Sequence, residues 1–338
     1  MVCEQGARGL EPLKILIFGG TGFVGINIAA AMLARGYDVT LFDRATLPSG
    51  AQKAFASQAA LLTVVQGDVT APGSVEKIIA GGFDAIILGA AITAGPARDA
   101  DDPQSILQVN LMAQVPILMA ARKSRVGRII NLSSAAAYGA AAFRHTLLDE
   151  ETACDPVSLY GITKYASEGV ATRLAALWQS DIVSVRLSAL FGPWERATGS
   201  RDTPSPQMQI IAAMRRREEA VLSRSGIRDW IYAPDVADAV TRLVEAAKPK
   251  HGLYNISTGR EWSALQWGQE LAALHPNFVC RLAKSGEAPT VDLHSEADRA
   301  PLSVTRMEQE FGWRARFGCA DSAAELNAWW ARYGEGLT

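Results

Sequence analysis

Tyr160 and Lys164 stand four residues apart, a spacing that puts a phenol and an ammonium on one face of a helix about a turn from each other. A free phenol has a pKa of ~10, so at neutral pH roughly one in a thousand is ionised. A neighbouring cation favours the ionised form, and lowering the pKa by ~3 units corresponds to ~4 kcal/mol. On this reading Tyr160 is a general base, or an acid in reverse. Ser133 and Ser134 add hydroxyls able to hold a reacting oxygen. They directly follow an apolar run, Arg128–Leu132, where a serine also serves as a plain helix cap.

What this chemistry acts beside is set by Gly19, Gly22 and Gly25. They fall between an apolar run and a helical pattern. Gly19 permits a tight turn, Gly22 lets backbone approach a pyrophosphate, and Gly25 allows close helix–sheet packing. Phosphates would rest on the N–H groups of the helix N-terminus. The loop therefore predicts a dinucleotide. Asp43, at the end of the second apolar run, is placed to accept the adenosine ribose hydroxyls and to repel a 2′-phosphate, so NAD is favoured over NADP, although Arg44 next to it is able to reach such a phosphate. Asp68, followed by Val69, is either an Asx turn or a ligand of the adenine amino group. Ala90 and Ala91 leave room for the cofactor, and Lys164 reaches the nicotinamide ribose.

These residues need a frame. Short apolar runs at Leu13–Phe18, Tyr37–Phe42, Leu62–Val65, Ala85–Leu88, Arg128–Leu132, Ile182–Leu187 and Leu253–Ile256 read as buried parallel strands, with helical patterns between most of them. Strand and helix in alternation predict an α/β fold with a doubly wound parallel sheet and a smaller C-terminal substrate lobe. The expected division is a dinucleotide-binding domain over 13–187 plus about 230–260 and a substrate lobe over 188–229 plus about 261–335, after a loose tail at 1–12. The stretch Gly192–Pro206 is rich in Gly, Pro and charge and reads as a lid or binding loop.

The bulk composition excludes several classes. The chain has 338 residues, 49% of them apolar, and a net charge of −2, so a large core forms and no polyanion partner such as nucleic acid is expected. The Arg215–Arg217 run, followed by Glu218 and Glu219, reads as a solvated helix face. Cys3, Cys154, Cys280 and Cys319 show neither CxxC spacing nor nearby histidine ligands, which predicts reduced thiols and no metal. No secretory leader and no apolar stretch of the ~18 residues needed to span a bilayer is seen. A cytoplasmic protein is expected.

The ordered set GGTGFVG (19–25), Asp43, GD (67–68), SSAAAYG (133–139), YGITK (160–164), RLSALFGP (186–193) and RDWIYAPDVADA (228–239) resembles the extended short-chain dehydrogenase/reductase family, the NAD-dependent epimerase/dehydratase group, over roughly residues 13–260. The resemblance implies a catalytic set of Ser134, Tyr160 and Lys164. It implies a cofactor site that takes in Phe23, Val24, Asn110 (matching the family's structural asparagine), Ser133 and Ser188 besides the residues above. It implies that Arg228 holds a nucleotide-sugar pyrophosphate. The family also implies a homodimer through the helices at Leu159–Gln179 and about Asp102–Lys123. Two departures stand out. Dehydratases and decarboxylases of the family carry acids soon after the catalytic serine, where this chain has Ala135 and Ala136. Nucleotide-sugar members place an asparagine where this chain has Ala189, beside the substrate, which leaves open a smaller polyol, aldonate or sugar-acid substrate, with Arg228 then pairing with a carboxylate.

The expected activity is thus hydride transfer at a secondary hydroxyl of a sugar or sugar-derived substrate. If the ketone leaves, the enzyme is a dehydrogenase; if it stays and turns over, a 4-epimerase. The rival is a non-catalytic NAD-binding sensor on the same fold. The aromatic group Trp313, Trp329, Trp330 and Tyr333 reads as packing, and His145 as a loop residue.

Overall fold

The computed structural model describes residues 12–337; Cys3 and nearly all of the expected N-terminal tail lie outside them. Strand β1 (Lys14–Phe18) has Ile15, Leu16, Ile17 and Phe18 fully buried. They divide by alternation. Ile15 and Ile17 join a core with Ile26 and Ile28 of helix α1 (Phe23–Leu33) and with Val236 and Val240 of the Ala233–Glu245 helix. Leu16 and Phe18 join a second core with Val75, Ile79, Ile117 and Ala171 from helices on the opposite face. Burial on both faces is why the strand reads as a continuous apolar run.

β2 (Asp38–Asp43), β3 (Leu62–Gln66), β4 (Ala85–Leu88), β5 (Arg128–Ser134) and β6 (Ile182–Leu187) complete the sheet together with the Leu253–Ile256 strand. The order is Leu253–Ile256, β6, β5, β4, β1, β2, β3, and every pair is parallel. The strand order reverses between β1 and β4, and a doubly wound sheet binds ligands at that crevice. After β6 the chain builds three two-stranded pairs, among them Ala220–Leu222 with Cys280–Leu282. Trp313 is buried, and Trp329 packs edge-on against Trp194 at 4.7 Å, so the C-terminal aromatics fill this lobe.

β5 runs two residues beyond the expected Leu132. Ser133 and Ser134 are strand residues, paired with Arg186 and Leu187 of β6. The Tyr160 helix spans Leu159–Trp178, capped by the Ser158 hydroxyl on the Gly161 N–H. The second helix of the expected interface is interrupted. Pro103–Leu107 and Gln114–Lys123 flank a π-helical turn at Gln108–Met112. Contrary to expectation, Pro103–Lys123 is long and apolar enough, by length and composition, to cross a membrane; 44% of it is buried within the fold. Cys154, Cys280 and Cys319 are free thiols.

Candidate active site

A cavity of about 330 Å³ opens over the carboxyl ends of β1, β2, β4 and β5. Its floor is the glycine loop. Gly19 has φ +75, and a Cβ there would lie 2.7 Å from the Ala90 nitrogen, so only glycine lets this turn meet the β4 edge. A Cβ on Gly22 would meet only the Gly19 carbonyl, at 3.1 Å. Gly25 packs on Gly20, where a Cβ would stand 2.8 Å from Cα. No side chain caps the N-terminus of α1, so its N–H groups remain for an anion. Asp43 ends β2 and accepts the Thr21 N–H at 3.1 Å and the Ala45 N–H at 3.2 Å. Arg44 pairs loosely with Asp68, 3.9 Å away. These uncapped amides, the glycine cradle and the carboxylate fit a dinucleotide.

Gly19, Gly22, Phe23, Val24, Gly25, Asp43, Arg44, Asp68, Val69, Ala90, Ala91, Ser133, Ser134, Tyr160, Lys164 and Ser188 all line this cavity. Three expected site residues do not: Asn110, Ala189 and Arg228. Asn110 is fully buried in the π-helical turn. Its oxygen accepts the Ile92 N–H at 2.7 Å, and its amide donates to the Ile92 carbonyl at 3.0 Å and to Thr163 at 3.2 Å. It ties the chain leaving β4 to the Tyr160 helix, so its place with the cofactor is corrected to that of a strut. Ala189 packs against the apolar core.

The side chains of Ser134 and Thr93 stand beside the Tyr160 phenol, near enough to act on its ionisation. Its expected acidity is not found. Burial pushes the phenol above its ordinary value, opposed by the Ser134 side chain, the charge of Arg201 and the Thr93 side chain. The Lys164 ammonium sits 5.8 Å from the ring centre and donates to the Leu132 carbonyl at 2.8 Å. Burial lowers this ammonium to about 8, with Glu168 partly opposing. The spacing places the cation correctly along the helix, but desolvation outweighs it. Ser134 also accepts the Ala136 N–H at 3.1 Å, the capping role open to it from the start.

Four residues that the sequence does not single out belong here. Glu168, one further turn along the Tyr160–Lys164 face, is buried; it accepts the Ser133 hydroxyl and pairs with Arg186 at 2.7 Å. The repeated four-residue spacing is the signal that would have revealed it. Thr93, Arg196 and Arg201 come from loops, and nothing local marks them. The 192–205 loop crosses the cavity mouth. Thr93 donates its N–H to the Ser200 carbonyl at 2.7 Å, and Arg201 pairs with buried Glu195 at 3.0 Å.

Beyond Ser188 lies a basic cluster. Arg299 donates to the Ser188 hydroxyl at 2.7 Å and pairs with Asp229 at 3.0 Å. Arg224 pairs with Asp298. Arg228 is lowered to about 10 by burial and by the charges of Arg299 and Arg224, and it donates a hydrogen bond to the Leu293 carbonyl at 3.4 Å.

A crevice at the sheet's reversal point, an uncapped helix facing it and a Ser–Tyr–Lys group beside it define a dinucleotide-dependent enzyme site. The family model described as "NAD dependent epimerase/dehydratase family" matches residues 15–257, and the chain belongs to that family. It is 26% identical to the UDP-glucose 4-epimerase of Corynebacterium glutamicum over 89% of this chain and 90% of that one. It is 25% identical to the dTDP-glucose 4,6-dehydratase of Streptomyces niveus, over 94% and 93%. The crystal structure of the Bordetella bronchiseptica enzyme WbmG with NAD has the same fold, with a TM-score of 0.75 at 24% identity, covering 98% of this chain and 97% of that one.

Proposed function

We propose that this enzyme moves hydride at a secondary hydroxyl of a sugar carried on an anionic group, the nucleoside diphosphate of a nucleotide sugar. The observation that carries the reading is Arg228. It is a partly buried guanidinium over the Trp230 ring, with no carboxylate in ion-pair distance among the described residues and with Arg299 and Arg224 close enough to act on its charge. A cation partly withdrawn from water seeks a partner, and a diphosphate answers that need better than one carboxylate. The 4-epimerase relative supports a nucleotide-linked substrate; the missing asparagine at Ala189 stands against it, and Arg299 on Ser188 supplies a donor nearby.

When bound, NAD would supply the hydride acceptor and donor. The rest falls to this chain. Ser134 and Thr93 flank the phenol of Tyr160, which exchanges a proton with the substrate oxygen. Lys164, anchored on Leu132, keeps a positive charge beneath the Tyr160 ring. Ala135 and Ala136 offer no acid or base to eliminate water, which favours epimerisation or net oxidation over dehydration. The dinucleotide domain is taken as 13–187 plus about 230–260, with the remainder past residue 187 as the substrate lobe. A homodimer is supported by exposed Met112, Met119, Ile162 and Tyr165 on the two long helices, and a cytoplasmic location by the free thiols.

The test is to incubate purified enzyme with UDP- and dTDP-sugars, free sugar acids and polyols, following NADH absorbance and product identity by NMR. An isomerised nucleotide sugar without net NADH supports the reading, as does its loss in Arg228→Met. Turnover of free acids or polyols alone would overturn the nucleotide-linked substrate. NAD binding with no turnover of any sugar and no effect of Tyr160→Phe on cellular output would favour the sensor.

A further inference from the structure

One cation at the cavity has no part in the scheme above. Arg196 lines the cavity from the 192–205 loop. Its Nη2 donates to the Thr21 carbonyl at 2.8 Å and its Nη1 to the Trp194 carbonyl at 3.4 Å. Both acceptors are neutral. Among the described residues no carboxylate stands within ion-pair distance; the one acid whose charge it feels is Asp43. Burial pushes the guanidinium below its ordinary value.

The loop holds Arg196 firmly in place. Trp194 adopts φ +67, a strained region for a bulky side chain, and is fixed by packing against Trp329. Asn27 of α1 donates to the Pro193 carbonyl at 2.8 Å and to the Phe23 carbonyl at 2.9 Å, so the loop's base is fastened to the first turn of α1. That is the turn whose amides face the cavity. The loop's far end is latched to the opposite wall. Asp202 accepts the Gly95 N–H at 2.8 Å, and Arg98 donates to the Gly199 carbonyl at 2.6 Å and to Asp202 at 3.3 Å.

We propose that this loop is a strap over the cofactor in which Arg196 binds the dinucleotide pyrophosphate beside the glycine loop, adding a cation to the amides of the α1 N-terminus. The inference rests on the NAD reading and adds a residue to it. The pyrophosphate is the anion that belongs beside Thr21 and the glycine loop, and it would supply the partner Arg196 lacks. A cofactor so strapped would leave only after the Arg98–Asp202 latch and the Thr93–Ser200 pairing open. Such retention suits a reaction that returns its hydride each turnover, and so favours epimerisation over net oxidation.

Arg196→Met and Arg196→Lys test it, with NAD, ADP-ribose and adenosine as ligands. Affinities come from quenching of tryptophan fluorescence, and NAD release rates from displacement by excess ADP-ribose. Losing a charge-assisted contact should weaken NAD and ADP-ribose roughly 10- to 100-fold in Arg196→Met. Adenosine, which lacks the pyrophosphate, should bind within about twofold of wild type. Arg196→Lys should keep part of the affinity, and Arg98→Ala should speed NAD release. Equal losses for all three ligands, or none, would overturn the strap. So would unchanged NAD affinity with a raised KM for an acidic sugar, which would give Arg196 to the substrate. Wild-type protein that binds none of the ligands would instead strike the NAD reading beneath it.

Discussion

Lys164 is 2% exposed, and its pKa is lowered from 10.5 to about 8 by burial. That shift ties stability to pH with a definite sign. Between about 8 and 10.5 the folded ammonium has released its proton while the unfolded one keeps it, so the unfolded state binds more protons and stability rises with pH. Below about 8 both states are charged, and the full cost of the buried cation is present. With these two values the linkage relation gives a gain of about 2.5 kcal/mol from pH 7 to pH 10. Other titrating groups contribute to the raw curve, Tyr160 among them, so the useful quantity is a difference. Lys164→Met keeps the apolar stem and removes the titration. Urea unfolding of both proteins at pH 7, 8, 9 and 10 isolates the lysine, and wild type should gain about 2.5 kcal/mol on the variant across that range. A difference that stays flat, or that falls with rising pH, would refute the idea that desolvation governs this site and would restore an ordinary ammonium able to acidify the phenol.

The remaining expectations are shorter. Tyr160→Phe should cost 10²- to 10⁴-fold in turnover of whichever sugar proves to be the substrate, the usual range for a lost general acid–base. NAD affinity, measured by titration, should be little changed, because the phenol stands away from the phosphate end. Glu168→Gln leaves Arg186, 3% exposed, without its counter-charge; breaking such a buried pair costs about 3–5 kcal/mol, which chemical denaturation should read. A loss below about 1 kcal/mol would mean that the Ser133–Glu168–Arg186 group is not the brace beneath the site.

What was legible in the sequence followed from period and spacing. Strands buried on both faces are short apolar runs, so β1, β4, β6 and the Leu253–Ile256 strand were readable to within a residue. The glycine loop was readable because each glycine answers a distinct steric need, at Gly19 against Ala90 most plainly. Edge strand β3 was readable despite exposed Val64, since its flanks mark it. What failed involves quantities that spacing does not carry. A four-residue interval fixes where Lys164 lies along the helix, but not that its proton is bound by the Leu132 carbonyl or how deeply the phenol is buried. Asn110 is polar at the right place in the chain, yet the π-helical turn aims its amide at Ile92 and away from the cavity. Arg196, Arg201 and Thr93 sit in segments without periodicity, and only tertiary folding brings them to one cavity.

The distribution of charge around the site ties the two proposals together. Arg196 stands over the glycine loop at one end, and Arg228 lies within the basic cluster at the other; each lacks a carboxylate partner among the described residues. The middle, where Tyr160, Ser134 and Thr93 gather, presents hydroxyls; its cations are already answered, Arg201 by Glu195 and Lys164 by the Leu132 carbonyl, and Ala135 and Ala136 stand where the family's dehydratases carry acids. A partly buried cation without a counter-charge costs free energy until an anion arrives. The site therefore favours negative charge at two places, one on each side of the hydroxyls. On the proposed reading a dinucleotide would supply the first through its pyrophosphate and a nucleotide sugar the second through its own, and the two would bring nicotinamide and sugar together over the hydroxyls between. A free polyol answers neither demand, and a free sugar acid at most one. On the proposed reading the charge layout would select the substrate class, while the three hydroxyls and the buried lysine would set the chemistry performed on it.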